Sequence, residues 1–369
     1  MCRIFVCATE QSGDNIGYNI MLQLLSVNKQ ITFDGVGGHK MSTIFNNQIY
    51  NLKDFNTMGI FEIFFSIKKY IKMIRVISNK ILCSNYDLIL TIDSPDFNYP
   101  MVKRLRNKKY NKKIIHLVAP TVWAWRSYRA KKFSKIFDEL FVLFNFEIIF
   151  FEKYGLKTTL MGHPIYYINS NNYTGNFNTI AFLPGSRLSE VNKLIPYFKL
   201  AYDYLLINYP NITIFIPTLP HLEKNIKCFV SEWKIKIIVS SDTKIIEENY
   251  KKTSKALVCS GTASLEIAKR NIPQLVIYKL NFFTEFFGKI FIKVKFANII
   301  NIIENFNVIP EITNSNLNHK NFLTEFKNLI NNNKANKIQI NNINKSLNSL
   351  KVNEPPYKLV SKKIINYIN

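Results

Sequence analysis

Short apolar runs alternate along this chain with longer stretches whose apolar residues recur at helical spacing. Residues 3–8 read as a buried strand, and after a polar turn residues 15–25 read as a helix. Residues 31–36 form a second strand, ending in Gly37-Gly38, and 86–92 form a third that stops abruptly at Asp93-Ser94-Pro95. The runs 113–118 (closed by Ala119-Pro120), 139–143 and 157–161 keep the same rhythm. Strands separated by helices predict a parallel sheet covered on both faces. Across 166–175 the chain turns polar and aperiodic, which reads as a linker. Alternation resumes with strands at 179–183, 212–217, 235–240, 256–260 and 274–278, and with helices running to Leu206 and to Lys269. The prediction is an α/β protein with two Rossmann-like, doubly wound parallel-sheet domains. Their expected limits are 1–168 and 176–340, with a helical tail at 341–369 packing back on the first. Ligand sites are expected at the C-terminal ends of the strands, facing a cleft between the domains.

Composition narrows the classes without choosing one. A chain of 369 residues is expected to form two domains, and 47% hydrophobic content suffices for sizeable cores and excludes a disordered chain. The formal net charge of +24 fits nucleic acid, an anionic membrane surface or a phosphorylated substrate. It equally fits a drift toward Asn, Lys and Ile that spreads lysine over solvated faces, so charge alone assigns no partner. Cys2, Cys7, Cys83, Cys228 and Cys259 show no CxxC spacing, and Cys7, Cys83 and Cys259 lie in or beside apolar runs that read as buried strands. Reduced thiols in a cytosolic protein are expected, without structural zinc. Residues 4–8 are too short for a signal-peptide core. No uninterrupted apolar stretch reaches the roughly 18–20 residues of a spanning helix. A protein that is soluble, or bound at a membrane surface, is expected.

Several of the strands end in turns that carry chemically useful side chains. Leu183-Pro184-Gly185-Ser186-Arg187-Leu188-Ser189-Glu190 joins a strand to a helix through a glycine turn. Backbone N–H groups and a helix N-terminus hold a phosphate in this arrangement, and Arg187 is placed to grip a diphosphate. Taken alone, the segment reads as plainly as a turn with a solvated arginine. Ser260-Gly261-Thr262-Ala263-Ser264-Leu265-Glu266 repeats the pattern in the same half. Two such turns favour a diphosphate, with Glu266 available for sugar hydroxyls, over two merely capped helices. In the first half, Glu10-Gln11-Ser12-Gly13-Asp14 offers small hydrogen-bonding residues at a helix start, where Asp14 also reads as a cap.

Thr91-Ile92-Asp93-Ser94-Pro95-Asp96-Phe97-Asn98 places two carboxylates at a strand's C-terminal end. Asp93 is positioned to act as general base on an attacking hydroxyl, and Asp96 either shares that role or caps the next helix. The spacing is not the Asp-x-Asp that holds a divalent ion, so a metal-independent reaction without a cofactor is expected. The segment from His116 to Arg126 sets Trp123 and Trp125 beside Arg126 just after a strand, where they either shape a cleft wall or fill a core. His116 itself reads as a core histidine. Residues 58–74 form a strongly apolar helix with Lys68, Lys69 and Lys72 toward one end. Such a helix dips into an anionic bilayer surface or faces a core with a basic exterior, the density of Phe and Ile favouring the first. The stretch 282–296 has similar character.

In this order the clusters resemble the lipid A disaccharide synthase family, inverting glycosyltransferases of the two-domain GT-B fold. The likeness runs from Glu10 to about Glu311. It rests on Ser12-Gly13-Asp14, on Asp93, Pro95, Asp96, Phe97 and Asn98, and on the Pro-Thr-Val-Trp-Ala-Trp-Arg run at 120–126. Gly162-His163-Pro164, Pro184-Gly185-Ser186-Arg187, Ser260-Gly261-Thr262-Ala263 and the pair Asn301 and Glu311 complete it. The resemblance implies transfer of 2,3-diacylglucosamine from UDP to 2,3-diacylglucosamine 1-phosphate, giving a β-1,6-linked disaccharide phosphate and UDP. It implies Asp93 as base and Arg187, the two helix N-termini and Asn301 as stabilisers of the leaving UDP. Substrate contacts are implied for the remaining motif residues, including Trp123, Trp125, Arg126, His163, Glu266 and Glu311. The implied partners are the two acylated sugars and the inner-leaflet surface of the cytoplasmic membrane, without nucleic acid, a homodimer being left open. The sequence departs from the family at Thr9, Gln11, Asn145, Tyr167 and Asn314, where Gly, a smaller residue, Pro, Asp and Gln are usual. Two rivals stand beside this reading. A UDP-sugar epimerase on the same fold shares the phosphate turns, and a basic nucleic-acid-binding protein fits the charge but not its even spread.

Overall fold

The computed structural model describes residues 2–55, 62–124, 126–167, 177–279, 296–348 and 350–368. The chain divides into two compact units, Met1–Pro164 with Val352–Asn369, and Ile165–Lys351. The first unit holds β1 (Arg3–Ala8), β2 (Thr32–Gly37), β3 (Asn47–Asn51), β4 (Leu88–Ile92), β5 (Lys113–Leu117), β6 (Glu139–Val142) and β7 (Lys157–Leu160). They form one parallel sheet in the order β3-β2-β1-β4-β5-β6-β7. The strand order reverses between β1 and β4, where Cys7 faces Thr91 across the ladder. All of β4 is buried, as a strand covered by helices on both faces must be.

On one face, α1 (Gln11–Val27) packs Ile16, Ile20 and Leu24 against Ile4, Val6 and Ile92, and the closing helix Pro356–Ile368 adds Val360 and Ile364 to the same cluster. That helix is tied to the sheet through Tyr367, whose hydroxyl donates to the buried Glu139 carboxylate and accepts from Lys157 Nζ at 2.7 Å. A short α2 (His39–Ser42) follows β2. The other face carries α3 (Glu62–Leu82), α4 (Pro95–Asn107), α5 (Tyr128–Phe133) and α6 (Ile148–Glu152), with Phe97, Phe133, Phe137 and Phe151 as the main filling.

The second unit repeats the plan. Strands β8 (Thr179–Leu183), β9 (Thr213–Pro217), β10 (Lys236–Ser240), β11 (Lys255–Cys259), β12 (Gln274–Tyr278) and β13 (Glu311–Thr313) run parallel in the order β10-β9-β8-β11-β12-β13. Here the order reverses between β8 and β11. Helices α7 (Leu188–Asn208), α8 (Pro220–Phe229), α9 (Thr243–Lys252) and α10 (Thr262–Lys269) connect them, and Phe182, Phe198, Phe322 and Phe326 centre the core. Lys255 is 1% exposed. It donates to Ile330 O and to Asn333 Oδ1 (3.3 Å), and burial pushes its ammonium down to about 8.

The α/β expectation is borne out, strand for strand, apart from β3 and β13. Both are edge strands, one polar (Asn-Gln-Ile-Tyr-Asn) and one three residues long, so neither carries an apolar run. The first helix begins at Gln11 rather than at residue 15, so the Ser12-Gly13 pair is not a flexible loop. A Cβ on Gly13 would lie 3.0 Å from Ala8 Cβ and 3.4 Å from Ile92 O, so small residues bring α1 down onto β1 and β4. Cys83 follows α3 and is exposed, against the expectation of a buried strand there. The helix Asn333–Asn348 belongs to the second unit and crosses the boundary expected at 340. Trp125, most of 166–175 and 282–296, and the first part of 58–74 lie outside the described residues.

Candidate active site

In doubly wound sheets ligands bind beyond the C-terminal ends of the strands where the order reverses. In the first unit that point lies after β1 and β4, where the chain supplies Ser12 and Asp93. Asp93 and Ser94 leave β4 with φ of 53° and 46°. Two successive non-glycine residues in the left-handed region cost roughly 1–3 kcal/mol each and persist only where their surroundings over-determine them. The surroundings do so. The Asp93 N–H donates to Leu117 O at 2.8 Å, and Asn98 Nδ2 donates to Asp93 O at 2.8 Å and to Ile92 O at 3.4 Å. The Asp93 carboxylate accepts from the Ser94 N–H at 2.8 Å and from Ser12 Oγ at 3.0 Å. Ser94 Oγ and Asn98 Oδ1 are buried without a hydrogen-bond partner among the described residues, a further local cost. The result is a strained, fixed elbow that presents one half-buried carboxylate.

Asp96 sits in the first turn of α4 with its side chain 75% exposed. It forms an ion pair with Arg129 and lies 3.5 Å from Arg126 Nη1. Neither carboxylate caps α4, whose N-cap is Ser94 without a side-chain bond. Two expected substrate contacts are corrected by burial. Asp14 is 0% exposed, and its carboxylate accepts from the backbone N–H groups of Gly38 (2.7 Å), Lys40 (3.1 Å) and Met41 (3.1 Å), capping α2 rather than its own helix. Asn98 is also 0% exposed and supports the Asp93 elbow from beneath.

Further along the same sheet edge, three loops bring Trp123, Glu147 and Phe144 together with His163. Trp123 Nε1 donates to Glu147 Oε1 at 3.3 Å, and the other carboxylate oxygen accepts from the Leu143 and Phe144 N–H groups at 3.1 Å each. Burial raises the Glu147 carboxyl to about 7, and its hydrogen bonds oppose the shift. His163 stacks on Phe144 with centroids 5.7 Å apart, and burial lowers its imidazole to about 4. His116 is a core residue, as expected. Its Nδ1 lies 2.7 Å from Thr91 Oγ1, Phe133 and Phe137 pack on the ring, and burial lowers it to about 3. In the sequence Glu147 stands only as the glutamate of an atypical Asn-Phe-Glu, a signal that assigns it no role.

The switch point of the second unit lies after β8 and β11, where the two glycine turns stand. Gly185 has φ 132° and Gly261 has φ 141°, conformations open to glycine. Arg187 is the N-cap of α7, with its side chain 71% exposed. The turn's amides hold an anion, but it is the protein's own. Glu190 Oε2 accepts from the Ser186 N–H (3.0 Å), the Arg187 N–H (3.2 Å) and Ser186 Oγ (3.4 Å), and Arg187 Nη1 lies 3.5 Å from Glu190 Oε1. At the second turn, Gly261 and Thr262 are exposed, a side chain on Gly261 would meet no other part of the described residues within 4 Å beyond its chain neighbours, and Ala263 follows in the first turn of α10. Ser260 Oγ donates to Ala297 O at 3.0 Å.

The remaining expected contacts of this unit each have partners within the protein. Asn301 is 0% exposed, and its amide both donates to Ile309 O and accepts from the Ile309 N–H, each at 2.8 Å, so it cannot also meet the leaving group as expected. Glu311 accepts from the Ala297 (2.9 Å) and Asn298 (2.8 Å) N–H groups at the start of the helix Ile299–Glu304. Glu266 Oε1 is engaged by the buried Arg270 at 3.0 Å.

Comparison with known proteins agrees with this layout. The solved UDP-GlcNAc 2-epimerase of Neisseria meningitidis bound to UDP-GlcNAc matches with a TM-score of 0.62 at 14% identity, covering 99% of each chain; that likeness shows the shared two-domain GT-B-type fold alone. The lipid-A-disaccharide synthase of Rickettsia typhi is 33% identical over 363 residues, 95% of each chain. That of Rhodospirillum centenum is 29% identical over 378 residues, covering 99% of this chain and 94% of its own. The family model described as lipid-A-disaccharide synthetase matches residues 4–360. With strained carboxylate, paired glycine turns and near-complete alignment in hand, this chain belongs to the lipid-A-disaccharide synthetase family.

Proposed function

We propose that the protein is the glycosyltransferase that joins two acylated glucosamines into the lipid A disaccharide. The donor is UDP-2,3-diacylglucosamine and the acceptor 2,3-diacylglucosamine 1-phosphate. Asp93 takes the proton from the acceptor hydroxyl as it attacks the anomeric carbon from the face opposite UDP, inverting it. One observation carries this assignment: Asp93 is held at the switch point in a strained conformation, with its carboxylate aimed by Ser12 and the Ser94 amide. Asp96, held by Arg129, is the weaker candidate for the base. UDP leaves toward the exposed Arg187 side chain and the open turn at Gly261, donors fixed before charge develops. Ser260, Thr262 and Ala263 line this turn, and Trp123 and His163 belong to the first unit's sheet edge.

Acylated substrates favour an address at the inner leaflet. On α3, Ile67 (52%) and Ile71 (45%) stand exposed beside the exposed Lys68, Lys69, Lys72 and Arg75. An apolar strip bordered by cations suits an anionic bilayer surface. Among the described residues no helix is long and apolar enough to cross a membrane.

The test is UDP release from the acylated donor in detergent, with and without the acylated glucosamine 1-phosphate and with EDTA. Acceptor-dependent release that persists in EDTA and falls by about 100-fold or more in Asp93→Ala is expected. A well-folded protein that releases no UDP with either substrate sinks the assignment.

A further inference from the structure

We propose that the groove between the start of α4 and α5 holds the phosphate of the acceptor, so that its cations set the preference for a phosphorylated sugar. The proposal rests on the glycosyl-transfer reading above and adds an address to it. The groove encloses about 320 Å³ and is lined by Arg126, Arg129 and Lys132, by one carboxylate, Asp96, and by Tyr99 and Tyr128 among others. Among the described residues, three cations against one anion leave a net charge of +2 at this spot, matching a phosphate monoester of about −1.5 to −2 at pH 7.

The cations are held in place. Asp96 forms an ion pair with Arg129, whose side chain is only 14% exposed, and lies 3.5 Å from Arg126. Arg126 itself sits at φ 51°, a further left-handed position in this unit. Two guanidinium groups fixed around one carboxylate form a prepared fork for a tetrahedral oxyanion. Lys132 Nζ lies 4.6 Å above the Tyr128 ring, and Tyr99 stacks on Phe133 at 5.8 Å, giving the groove aromatic walls against which a sugar ring can lie.

Position supports the assignment. Asp96 follows Asp93 within the turn that opens α4, so a phosphate bound here belongs to the molecule whose hydroxyl Asp93 deprotonates. Pro100 lines this groove and also a neighbouring one of about 410 Å³, bordered by Ile71 and Ile74 of α3. Acyl chains leaving the phosphate site in that direction meet the apolar strip of α3. The neighbouring groove is itself basic, with Arg75, Lys103 and Lys108, and is the competing address.

The experiment compares kinetics of Lys132→Glu, Lys132→Arg and the double variant Lys103→Glu with Lys108→Glu. Lys131→Glu, the same charge change one residue away and outside the groove, serves as control. Lys132→Glu should raise the acceptor KM about tenfold or more, the loss expected for a charge-assisted contact turned repulsive, with donor KM and kcat within about twofold. Lys132→Arg and the control should stay near wild type. With an acceptor lacking the phosphate, Lys132→Glu and wild type should react alike. Calorimetric titration with glucosamine 1-phosphate needs no turnover and should show weaker binding to Lys132→Glu. An unchanged acceptor KM, an equal penalty on the dephosphorylated acceptor, or a penalty carried by the Lys103/Lys108 variant overturns the proposal. A wild type without acceptor-dependent UDP release strikes at the transferase reading instead, and the titration still reports on the groove.

Discussion

The two switch points of this molecule are built from opposite materials. In the first unit, the proposed active element is a side chain, and the backbone is strained to aim it: Asp93 and Ser94 stand in the left-handed region, tied down by Asn98, Leu117 and Ser12. In the second unit, the proposed active element is the backbone. Gly185 and Gly261 adopt positive φ without strain; Glu190 takes up the amides of the first turn, and the second stands exposed at the start of α10. Proton transfer needs one group in one place, which favours a rigid elbow. Diphosphate binding needs several donors spread around an anion, which small residues in turns provide most simply.

The difference can be broken most sharply at Asp93. Asp93→Asn should lower kcat by at least about 100-fold while leaving donor KM within about twofold, measured by initial rates of UDP release. Equal losses in both parameters would erase the division of labour. Gly261→Ala is the converse test: it forces an L-residue to φ 141° and should raise donor KM about tenfold with a smaller effect on kcat. Titration with UDP alone should show the same weakening.

A smaller effect is expected at the sheet edge of the first unit. The Glu147 carboxyl, near 7 when folded against an ordinary value of 4.5, is protonated in the folded protein and ionised in the unfolded chain between those values. It therefore adds stability that is fully present below pH 4.5 and is lost as pH rises through 7. His163 and His116, lowered to about 4 and 3, work in the other direction: their contribution is present above pH 6.5 and is lost as pH falls below it. Glu147→Gln should thus steepen the loss of stability between pH 6.5 and 4.5, by up to about 1.4 kcal/mol per pH unit in urea titrations. An unchanged slope would place the carboxyl in solvent contact. Smallest is Ser94→Gly, which should raise stability by about 1 kcal/mol by relieving the left-handed residue while turnover falls, separating strain from chemistry.

Much of this was legible in the residues. Buried parallel strands advertise themselves as apolar runs, so β1, β4, β8 and β11 stood out, and with them the four turns that follow. Residues whose role is contact through the backbone, such as Gly185 and Gly261, were legible because only glycine serves there. Asp14, Asn98 and Asn301 misled for a physical reason. A polar residue that binds a substrate and one that satisfies a buried backbone have the same chemistry, and burial alone tells them apart. Glu190 stood in the motif, but nothing in its spacing said that its carboxylate would occupy the amides expected to hold phosphate.

The sequence by itself determined the alternation of strand and helix, the positions of the turns, and the pairing of acidic with glycine-rich segments, because periodicity and backbone preference are local properties. Only the tertiary structure decided which turns fall at the strand reversals, that Ser12 reaches Asp93, that Arg126 and Arg129 converge on Asp96, and that Trp123 meets Glu147. Those outcomes depend on strand order and on contacts between residues up to 81 positions apart, which no local pattern encodes.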